Sequence, residues 1–493
     1  MRQLGHPGSY LHAVGLQPNV LDAVIVGAGP NGLAAAVALA QAGHSVTVLE
    51  GAETIGGGTR TAELTEPGLK HDVCSAVHPF GAASPFLTSL PLAEHGLVWR
   101  HPEVDLAHPL DDGSAGVLLR SLDDTCAGLG ADGKAWRGVF GPVARGFDEL
   151  AGDVLGPIVR WPCHPLRMAR FGLRAGLPAT VLAARFRTPQ ARALFAGSAA
   201  HVYRPLNRPA TAAVGVMLTA AGHAHGWPVP EGGSAAITNA LASLLAELGG
   251  TIVTDHPVHS RADLPGARVT LFDTGPETVT EVYGDALPGR TRRAYRRYRH
   301  GPAAYKVDLA VRGGVPWTNE AARRAGTVHV GGTLEEIAEA EAAVCAGRMP
   351  ERPFVLVAQQ SLADPTRAVG DLHPVWAYAH VPAGWDGPGE QVVLAQLERF
   401  APGLRERVVA TSVRTPADFE ADNPNYVGGD IAGGANDLRQ LVARPRLAAD
   451  PYATGVPGVY LCSAATPPGA GVHGMCGFHA AHRALRWLAA AGG

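Results

Sequence analysis

Residues 21 to 50 read LDAVIVGAGPNGLAAAVALAQAGHSVTVLE, and this stretch constrains the fold more than any other part of the chain. A short apolar run is followed by the pattern G-x-G-x-x-G, an alanine-rich segment that ends at a glycine, and a second apolar run. Continuous apolar runs are typical of buried parallel strands, and a helix connects two of them. The stretch therefore predicts a strand–helix–strand unit with a dinucleotide-binding turn.

The glycines of this turn at 27, 29 and 32 each meet a separate requirement. The first allows the tight turn, the second lets a diphosphate approach the backbone, and the third brings the helix close to the strand. The helix then opens with a proline, whose missing N–H costs nothing in a first turn. Free N–H groups at the helix start face the phosphates. We predict cofactor contacts at Gly27, Gly29, Pro30, Asn31 and Gly32.

Residues on the C-terminal side of the turn indicate which cofactor binds. Glu50 ends the second predicted strand, where a carboxylate accepts hydrogen bonds from a ribose diol and repels a 2′-phosphate, so NADP is disfavoured. A second glycine cluster, GGGTR, occupies residues 56 to 60. An enzyme that binds only NAD has no need of another glycine turn there. FAD-binding chains of the glutathione-reductase-like type often carry one, and from this resemblance we expect FAD.

Together these motifs resemble the phytoene desaturase-like branch of the amine-oxidase superfamily of flavoproteins. Two further segments extend the resemblance along the chain. Residues 226 to 258 read as a glycine turn, a helix and a strand, and residues 458 to 485 read as a strand, the loop TPPGAGVHG and a helix. The resemblance implies an α/β fold, in which a Rossmann-like, glutathione-reductase-like FAD-binding domain is interwoven with a discontinuous mixed α/β substrate domain.

The implied domains alternate along the chain. After an N-terminal extension at 1–20, the FAD-binding domain comprises 21–80, 225–285 and 441–493, and the substrate-binding domain comprises 81–224 and 286–440. The family usually inserts a β-hairpin after the position of Val258, whereas here HSRADLPGA leads almost directly to RVTLFDTGP. We therefore expect a truncated hairpin and leave the role of Asp273 open.

The resemblance also implies cofactor contacts outside the first turn. They lie in the second glycine cluster, at the returning strand, whose backbone meets the adenine, and in the closing flavin loop: Gly57, Gly58, Thr59, Arg60, Val258, Ala464, Gly471, Val472 and His473. Ser463 and Ala470 replace glycines that are usual in the family, but both are small enough for binding to survive. The last helix directs its positive end at this loop, which would stabilise a reduced flavin.

Four residues are candidates for catalysis. His473 lies in the closing loop, where it would act at the flavin C2 carbonyl or as a base; a structural hydrogen bond at the helix start is the alternative. Tyr426 and Asp430 occur in NPNYVGGDIAGG, which a plain glycine-rich turn would also explain. His78, in AVHPFG, would reach the substrate face or be a core or loop histidine.

The reaction implied by the resemblance is dehydrogenation of a hydrophobic small molecule, with a C–C bond converted to C=C. The hydride would pass to flavin N5 and the electrons to oxygen or a quinone. One alternative is an FAD-dependent amine or amino-acid oxidase, which needs an aromatic pair around the amine, although only 6% of the residues are aromatic. A redox-neutral flavin isomerase and a flavin-bound interaction protein without turnover are the others.

Composition excludes several other classes of protein. Hydrophobic residues make up 46% of the chain and charged residues 17%, which favours a large folded core over disorder. The net charge of −3 argues against nucleic acid as the main partner. Six scattered cysteines without a CxxC pair predict neither a metal site nor disulfides, but the reduced thiols of a cytoplasmic protein.

Two arginine-rich stretches, 167–187 and 290–300, admit two interpretations. One is peripheral docking to an anionic membrane, through which a hydrophobic substrate would enter. The other is a solvated helix face whose arginine stems cover apolar surface. The sequence does not specify the oligomeric state.

Overall fold

The computed structural model describes residues 20–157 and 160–491, so the predicted N-terminal extension lies almost wholly outside the described residues. Two sheets organise the chain, one of five strands and one of seven, and two pairs of short strands accompany them. The strands are β1 Leu21–Val26, β2 Val46–Leu49, β3 Thr61–Glu63, β4 Lys70–Asp72, β5 Trp99–Arg100, β6 Val104–Pro109, β7 Ala115–Leu118, β8 Val229–Pro230, β9 Thr251–Val253, β10 Ala267–Phe272, β11 Ala303–Arg312, β12 Ala325–Val330, β13 Val355–Ala358, β14 Leu372–Val381, β15 Val408–Arg414 and β16 Val459–Leu461.

Helices cover both sheets. They are α1 Pro30–Gln41, α2 Pro79–Ala82, α3 Leu122–Gly128, α4 Gly133–Ala144, α5 Phe147–Val154, α6 Pro165–Ala175, α7 Ala179–Ala183, α8 Pro189–Ala200, α9 Ala212–His225, α10 Ala235–Glu247, α11 Pro276–Tyr283, α12 Gly289–Tyr295, α13 Glu320–Arg324, α14 Leu334–Cys345, α15 Gly389–Glu398, α16 Pro416–Asp422, α17 Leu438–Val442 and α18 Met475–Ala491. None of the helices within the described residues is both long and apolar enough to cross a membrane.

The five-stranded sheet is parallel, with the strand order β16-β10-β1-β2-β9. Helix α1 connects β1 to β2, as the sequence predicts, and both α10 and α18 pack against α1. The contact between α18 and α1 is close, because a Cβ on Gly477 would lie 1.8 Å from the Asn31 carbonyl oxygen. The glycine inside the last helix therefore serves helix packing and not a ligand.

The seven-stranded sheet has the order β15-β11-β14-β13-β12-β6-β7 and is antiparallel except between β12 and β6. Because side chains alternate along a strand, β14 presents two different faces. Val375, Ala377 and Ala379 join the core on the side of α15. Trp376 and Tyr378 belong to the other core, which includes α8 and α9. We call this second side the inner face of the sheet.

Several local predictions are confirmed. The predicted helix at 333–347 is α14, which begins with a capping box between Thr333 and Glu336. The stretch between β9 and β10 contains only a short 3₁₀ turn at Arg261–Asp263, so the hairpin is truncated. The strand predicted at 458–464 is shorter, at Val459–Leu461, because the glycine-rich loop begins soon after it. The exact domain boundaries stay a prediction.

Candidate functional site

The first glycine turn joins the carboxyl end of β1 to the start of α1. Gly27 has a φ of +101°, and a Cβ there would lie 2.8 Å from the Asp273 carbonyl oxygen. A Cβ on Gly32 would lie 2.1 Å from the Gly27 carbonyl oxygen, so α1 approaches the turn too closely for any other residue. This geometry leaves the helix start next to bare backbone, as a diphosphate requires.

Glu50 lies beside this turn at the end of β2. Its Oε2 accepts a hydrogen bond from the Ala28 N–H at 2.8 Å, and its Oε1 accepts one from the Ala52 N–H at 3.0 Å. The Arg60 guanidinium lies 3.6 Å from Oε1. Each carboxylate oxygen keeps a second lone pair, so Glu50 can hold the loop and still accept from a ribose.

The second glycine cluster packs directly against the first. The Gly56 N–H donates to the Ala28 carbonyl at 2.9 Å, and Thr59 Oγ1 donates to the Gly56 carbonyl at 2.8 Å. A Cβ on Gly57 would lie 3.3 Å from the Gly29 Cα. The two clusters, which are separate in sequence, therefore form one surface. The side chain of Val258 is buried in the core cluster that also contains Leu49 of β2. The predicted contact between its backbone and the adenine stays a prediction.

The closing loop between β16 and α18 holds His473, which is almost fully buried. Its Nδ1 accepts a hydrogen bond from the Met475 N–H at 3.0 Å, so the structural alternative considered for this residue is present. Burial lowers the pKa of His473 to about 4, and the ring is neutral. A neutral imidazole that accepts at Nδ1 carries its proton on Nε2. That Nε2 is buried and makes no hydrogen bond of normal geometry, although the Gly469 and Ala470 backbone lies close to the ring, so its N–H is a candidate donor to a ligand.

Tyr426 and Asp430 occupy the glycine-rich turn after α16. A Cβ on Gly58 would lie 2.3 Å from the Tyr426 hydroxyl, so this side chain lies against the second glycine cluster. The Asp430 carboxylate accepts hydrogen bonds from the N–H groups of Gly301, Ala432 and Gly434, at 2.7, 3.0 and 2.9 Å. These bonds give Asp430 a structural role in the turn, and catalytic roles for both residues stay predictions.

His78 lies at the N-terminus of α2, a helix that packs against the closing loop, since a Cβ on Gly81 would lie 3.0 Å from the Val472 carbonyl oxygen. Its Nε2 is 2.7 Å from the Ser234 hydroxyl, and burial lowers its pKa to about 4. A neutral, hydrogen-bonded core histidine accounts for this geometry, and its predicted contact with substrate stays a prediction. The ring nonetheless ties α2 to the start of α10.

Arg444 was not singled out by sequence reasoning. It is 3% exposed, and its guanidinium donates to the carbonyls of Ala464 and Gly434 at 3.2 and 2.8 Å. Within the described residues its acceptors are all uncharged, and its Nε is buried and unpartnered. A Cβ on Gly469 would lie 2.5 Å from Nη1. A buried cation without a carboxylate therefore borders the closing loop. In an arginine-rich chain no sequence signal distinguishes it.

The inner face of the seven-stranded sheet presents a second group that the sequence analysis missed. Lys306 is fully buried and forms an ion pair with Asp308 on the same strand. Burial lowers the pKa of Lys306, although Asp308 opposes that shift. Lys306 pairs in register with Tyr378, and Asp308 pairs with Trp376. The alternating pattern of YKVDLAV places Lys306 and Asp308 on the same face of a strand, and this pattern is the sequence signal that could have identified the pair.

This inner face meets the dinucleotide-binding segment at Cys74. The Trp376 Nε1–H donates to the Cys74 carbonyl at 3.0 Å. A Cβ on Gly58 would lie 4.0 Å from the Cys74 Sγ, so Cys74 also borders the second glycine cluster. Trp376 and Tyr378 form an edge-to-face aromatic pair with centroids 4.8 Å apart. The seven-stranded sheet and the second glycine cluster thus both contact Cys74, and the nearby His71 on β4 lies 3.4 Å from Asp308 on β11.

These residues fit a dinucleotide with a flat ring. The glycine clusters exclude side chains from one continuous surface, as close approach of a ligand requires. Beside that surface, three polar atoms are buried without a partner: Asn31 Oδ1, His473 Nε2 and Arg444 Nε. Buried polar atoms are rarely left unpaired, so each indicates a group that completes the site.

Comparisons with known proteins support the same assignment. A family model described as an NAD(P)-binding Rossmann-like domain matches residues 25–89. The pyridine nucleotide-disulfide oxidoreductase domain-containing protein 2 of Mus musculus is 27% identical over 95% of this chain and 94% of its own length. The L-amino-acid oxidase of Echis ocellatus is 52% identical over 10% of each chain.

Two solved structures show the fold. Putrescine oxidase bound to putrescine superposes with a TM-score of 0.60 and 18% identity over 95% of this chain and 99% of its own. An oxidoreductase from Methanosarcina mazei superposes with a TM-score of 0.61 and 16% identity over 94% and 100%. The predicted fold class is confirmed. These relatives agree with the prediction of an FAD-dependent oxidoreductase. They do not show that the chain belongs to the phytoene desaturase-like branch.

Proposed function

We propose that this chain is an FAD-dependent oxidoreductase that dehydrogenates a small organic molecule held against the inner face of the seven-stranded sheet. The observation that carries the proposal is the contact at Cys74, where the Trp376 side chain and the second glycine cluster meet. A substrate on the inner face would lie next to the cofactor surface, which is the proximity that hydride transfer needs.

The residues that would hold the cofactor follow from the site. The amides at the start of α1 would bind the diphosphate, and Glu50 would accept from the ribose. His473 would donate its free Nε2–H to the ring, while the Arg444 charge and the positive end of α18 would favour a reduced, anionic ring. FAD, when bound, supplies a two-electron acceptor for a hydride.

Two reaction types remain candidates for the substrate side. Formation of a C=C bond in a hydrophobic substrate is the one implied by the sequence resemblance. Amine oxidation is the alternative: Trp376 and Tyr378 form an aromatic wall beside Lys306, although they contact each other edge to face and do not enclose an amine between them. A buried lysine with a lowered pKa loses its proton more readily than a free one, so Lys306 could hold or pass a proton or a water.

Mass spectrometry of molecules released by denaturation tests the cofactor first. The expected result is FAD at close to one equivalent. A nicotinamide, or no cofactor from folded protein, would refute the proposal.

Anaerobic reduction of the FAD-loaded protein then tests the reaction. Terpenoids, unsaturated lipids and primary amines are mixed with the protein, and loss of the flavin absorbance band is followed in time. Bleaching by one class of compound identifies the substrate type. If Lys306 accepts or donates the proton, bleaching should be about tenfold slower in Lys306→Met. If no compound bleaches the flavin, a binding protein without turnover would be favoured.

A further inference from the structure

A second polar cluster lies deeper in the substrate region, on the inner face of the seven-stranded sheet. His380 Nδ1 is 2.7 Å from Glu341 Oε1, and the two side chains are 0% and 1% exposed. The ring of Tyr203 stacks on the His380 ring, with centroids 3.9 Å apart and planes inclined by 27°. Strand β14, helix α14 and the segment after α8 each contribute one of these residues.

Each of the three residues has a polar atom without a partner. Glu341 Oε2 and His380 Nε2 are buried and make no hydrogen bond, and the buried Tyr203 hydroxyl makes none of normal geometry, although the Tyr378 phenol lies beside it. Leaving one such atom unpaired costs free energy, and three on touching side chains indicate a missing group. Tyr203 also has a φ of +54°, a strained backbone conformation that is rare for a bulky residue.

The unpartnered atoms define what kind of group is missing. A carboxylate is only an acceptor, so the free Glu341 Oε2 requires a hydrogen-bond donor. The described structure gives Glu341 no partner other than His380, and gives the cluster no lysine or arginine ion pair. The cluster therefore needs a hydrogen-bond donor. A ligand carboxylate would face the Glu341 carboxylate with no lysine or arginine paired to it in the described structure, which is unfavourable.

The cluster lies on the same face as the candidate reaction site. Tyr378 precedes His380 by two positions on β14, and successive residues of one face are separated by about 7 Å. Tyr378 is paired in register with Lys306, whose charge is close enough to Cys74 to interact with it. Burial and the adjacent Tyr378 phenol raise the pKa of Tyr203 well above its usual range, so the Tyr203 hydroxyl is protonated. One molecule along this face could contact both regions.

We propose that Glu341, His380 and Tyr203 bind a hydrogen-bond-donating group, a hydroxyl or an ammonium, at the end of the substrate remote from the reacting carbon. This inference rests on the proposed function for the location of the reacting end. Because the ligand must donate a hydrogen bond, neither a pure hydrocarbon nor an ionised fatty acid would be the preferred ligand.

Isothermal titration calorimetry of the FAD-loaded protein tests the site with three probes of equal length: 1-octanol, n-octylamine and octanoate. We expect octanol or octylamine to bind at least tenfold more tightly than octanoate. Which of the two binds better identifies the hydroxyl or the ammonium as the group bound. The inference is overturned if octanoate binds as tightly as both, or if none of the three binds.

Glu341→Gln should reduce the affinity for the preferred probe at least tenfold, whereas Glu339→Gln should leave it unchanged. Glu339 lies on the same helix, two residues earlier, and is exposed. Tyr203→Phe is a second variant that removes only a hydroxyl and should weaken binding at least threefold. If the Glu341→Gln protein binds the preferred probe as tightly as the original chain does, the site is refuted. If Glu341→Gln does not fold, the same result for Tyr203→Phe refutes it. Calorimetry needs no turnover, so Glu341-dependent binding without electron transfer would refute only the proposed function.

Discussion

The carboxylate oxygen Oδ2 of Asp273 lies 2.7 Å from the amide nitrogen of Gly32 and accepts its hydrogen bond. Asp273 follows β10, whereas Gly32 is in the first turn of α1. The same helix start is the predicted diphosphate site, so a carboxyl group of the protein and the cofactor share one set of amides. Burial and the nearby Glu50 raise the pKa of Asp273 well above its ordinary value, although the Gly32 bond opposes the shift.

Replacing Asp273 should therefore change how FAD binding depends on pH. Ionisation of Asp273 as the pH rises places a negative charge beside the diphosphate and weakens binding. Asp273→Asn keeps an acceptor for Gly32 without that charge, so it should bind FAD about fivefold more tightly at high pH, a gain of about 1 kcal/mol. Fluorescence titration of the apoprotein across pH measures this. Asp124→Asn, an exposed change in α3, is the control, and identical pH profiles would contradict the prediction.

Gly32→Ala should abolish tight FAD binding. The added Cβ would lie 2.1 Å from the Gly27 carbonyl oxygen, so α1 must move away from the turn that it helps to form. We expect a loss of about 3 kcal/mol, more than a hundredfold in Kd. Gly138→Ala in α4 is the matched control, because no atom lies within 4 Å of its Cβ position. Similar FAD retention by both variants would show that the turn is not the cofactor site.

Arg444→Met should lower the reduction potential of the bound FAD. Loss of a positive charge near the closing loop disfavours the anionic reduced ring, and a tenfold loss of that preference corresponds to about 30 mV for a two-electron couple. Arg444→Lys keeps the positive charge, so the reduction potential should stay close to that of the original chain even though the forked hydrogen bonds of the guanidinium are lost. Redox titration measures both, with the exposed Arg439→Met as control. An unchanged potential in Arg444→Met would leave Arg444 as a structural clamp only.

The free energy of unfolding should fall in mild acid. Burial lowers the pKa of His78, His108 and His473 to about 4, whereas a free histidine titrates near 6.5. Between these values the unfolded chain binds protons that the folded chain does not, so stability is complete above about pH 6.5 and is lost as the pH falls toward 4. Each histidine contributes on the order of 3 kcal/mol.

Urea unfolding at pH 8 and pH 5 measures this loss. His78→Gln removes one titrating group while keeping a polar partner for Ser234, so its pH dependence should be shallower than that of the original chain. A stability that is independent of pH between 5 and 8 would show that these rings are not held neutral.

Docking to an anionic membrane stays a prediction for the first arginine-rich stretch. Leu166 and Leu173 on α6 are 77% and 76% exposed, and Trp161, just before α6, is 86% exposed. Arginines flank these apolar side chains, the combination that interfacial helices use. Vesicles rich in phosphatidylserine should sediment the protein, and Leu166→Glu combined with Leu173→Glu should abolish this. A solvated helix face would be favoured if the original chain and the double variant sediment equally, or if neither of them sediments with the vesicles.

Much of the fold could be predicted because its signals are local. The strand–helix–strand unit at 21–50 has apolar runs, a glycine turn and a helix stop in consecutive order, and each element forms as expected. The second glycine cluster was predicted as part of the same site. Its contact with the first, through Gly56 and Ala28, depends on a chain reversal that no local pattern specifies.

The proposed substrate site was harder to predict because its residues are distant in sequence. Lys306 and Tyr378 become neighbours only when β11 and β14 pair, and Glu341 reaches His380 only when α14 packs near that sheet. The sequence predicts catalytic roles for His78 and Asp430, which stay predictions; only the structure shows that their side chains bond to Ser234 and to the Gly301 N–H. An isolated histidine or aspartate carries no information about its partners.

The sequence by itself determined the dinucleotide turn, because only glycine tolerates the positive φ of Gly27 and the close approach at Gly32. It also determined the acidic partner of the turn, Glu50, by its place at the end of a strand. Only the tertiary structure decided where the unpaired polar atoms of His473, Arg444 and Glu341 lie. Whether a buried polar atom has a partner depends on long-range packing, and that packing sets the chemistry of the site.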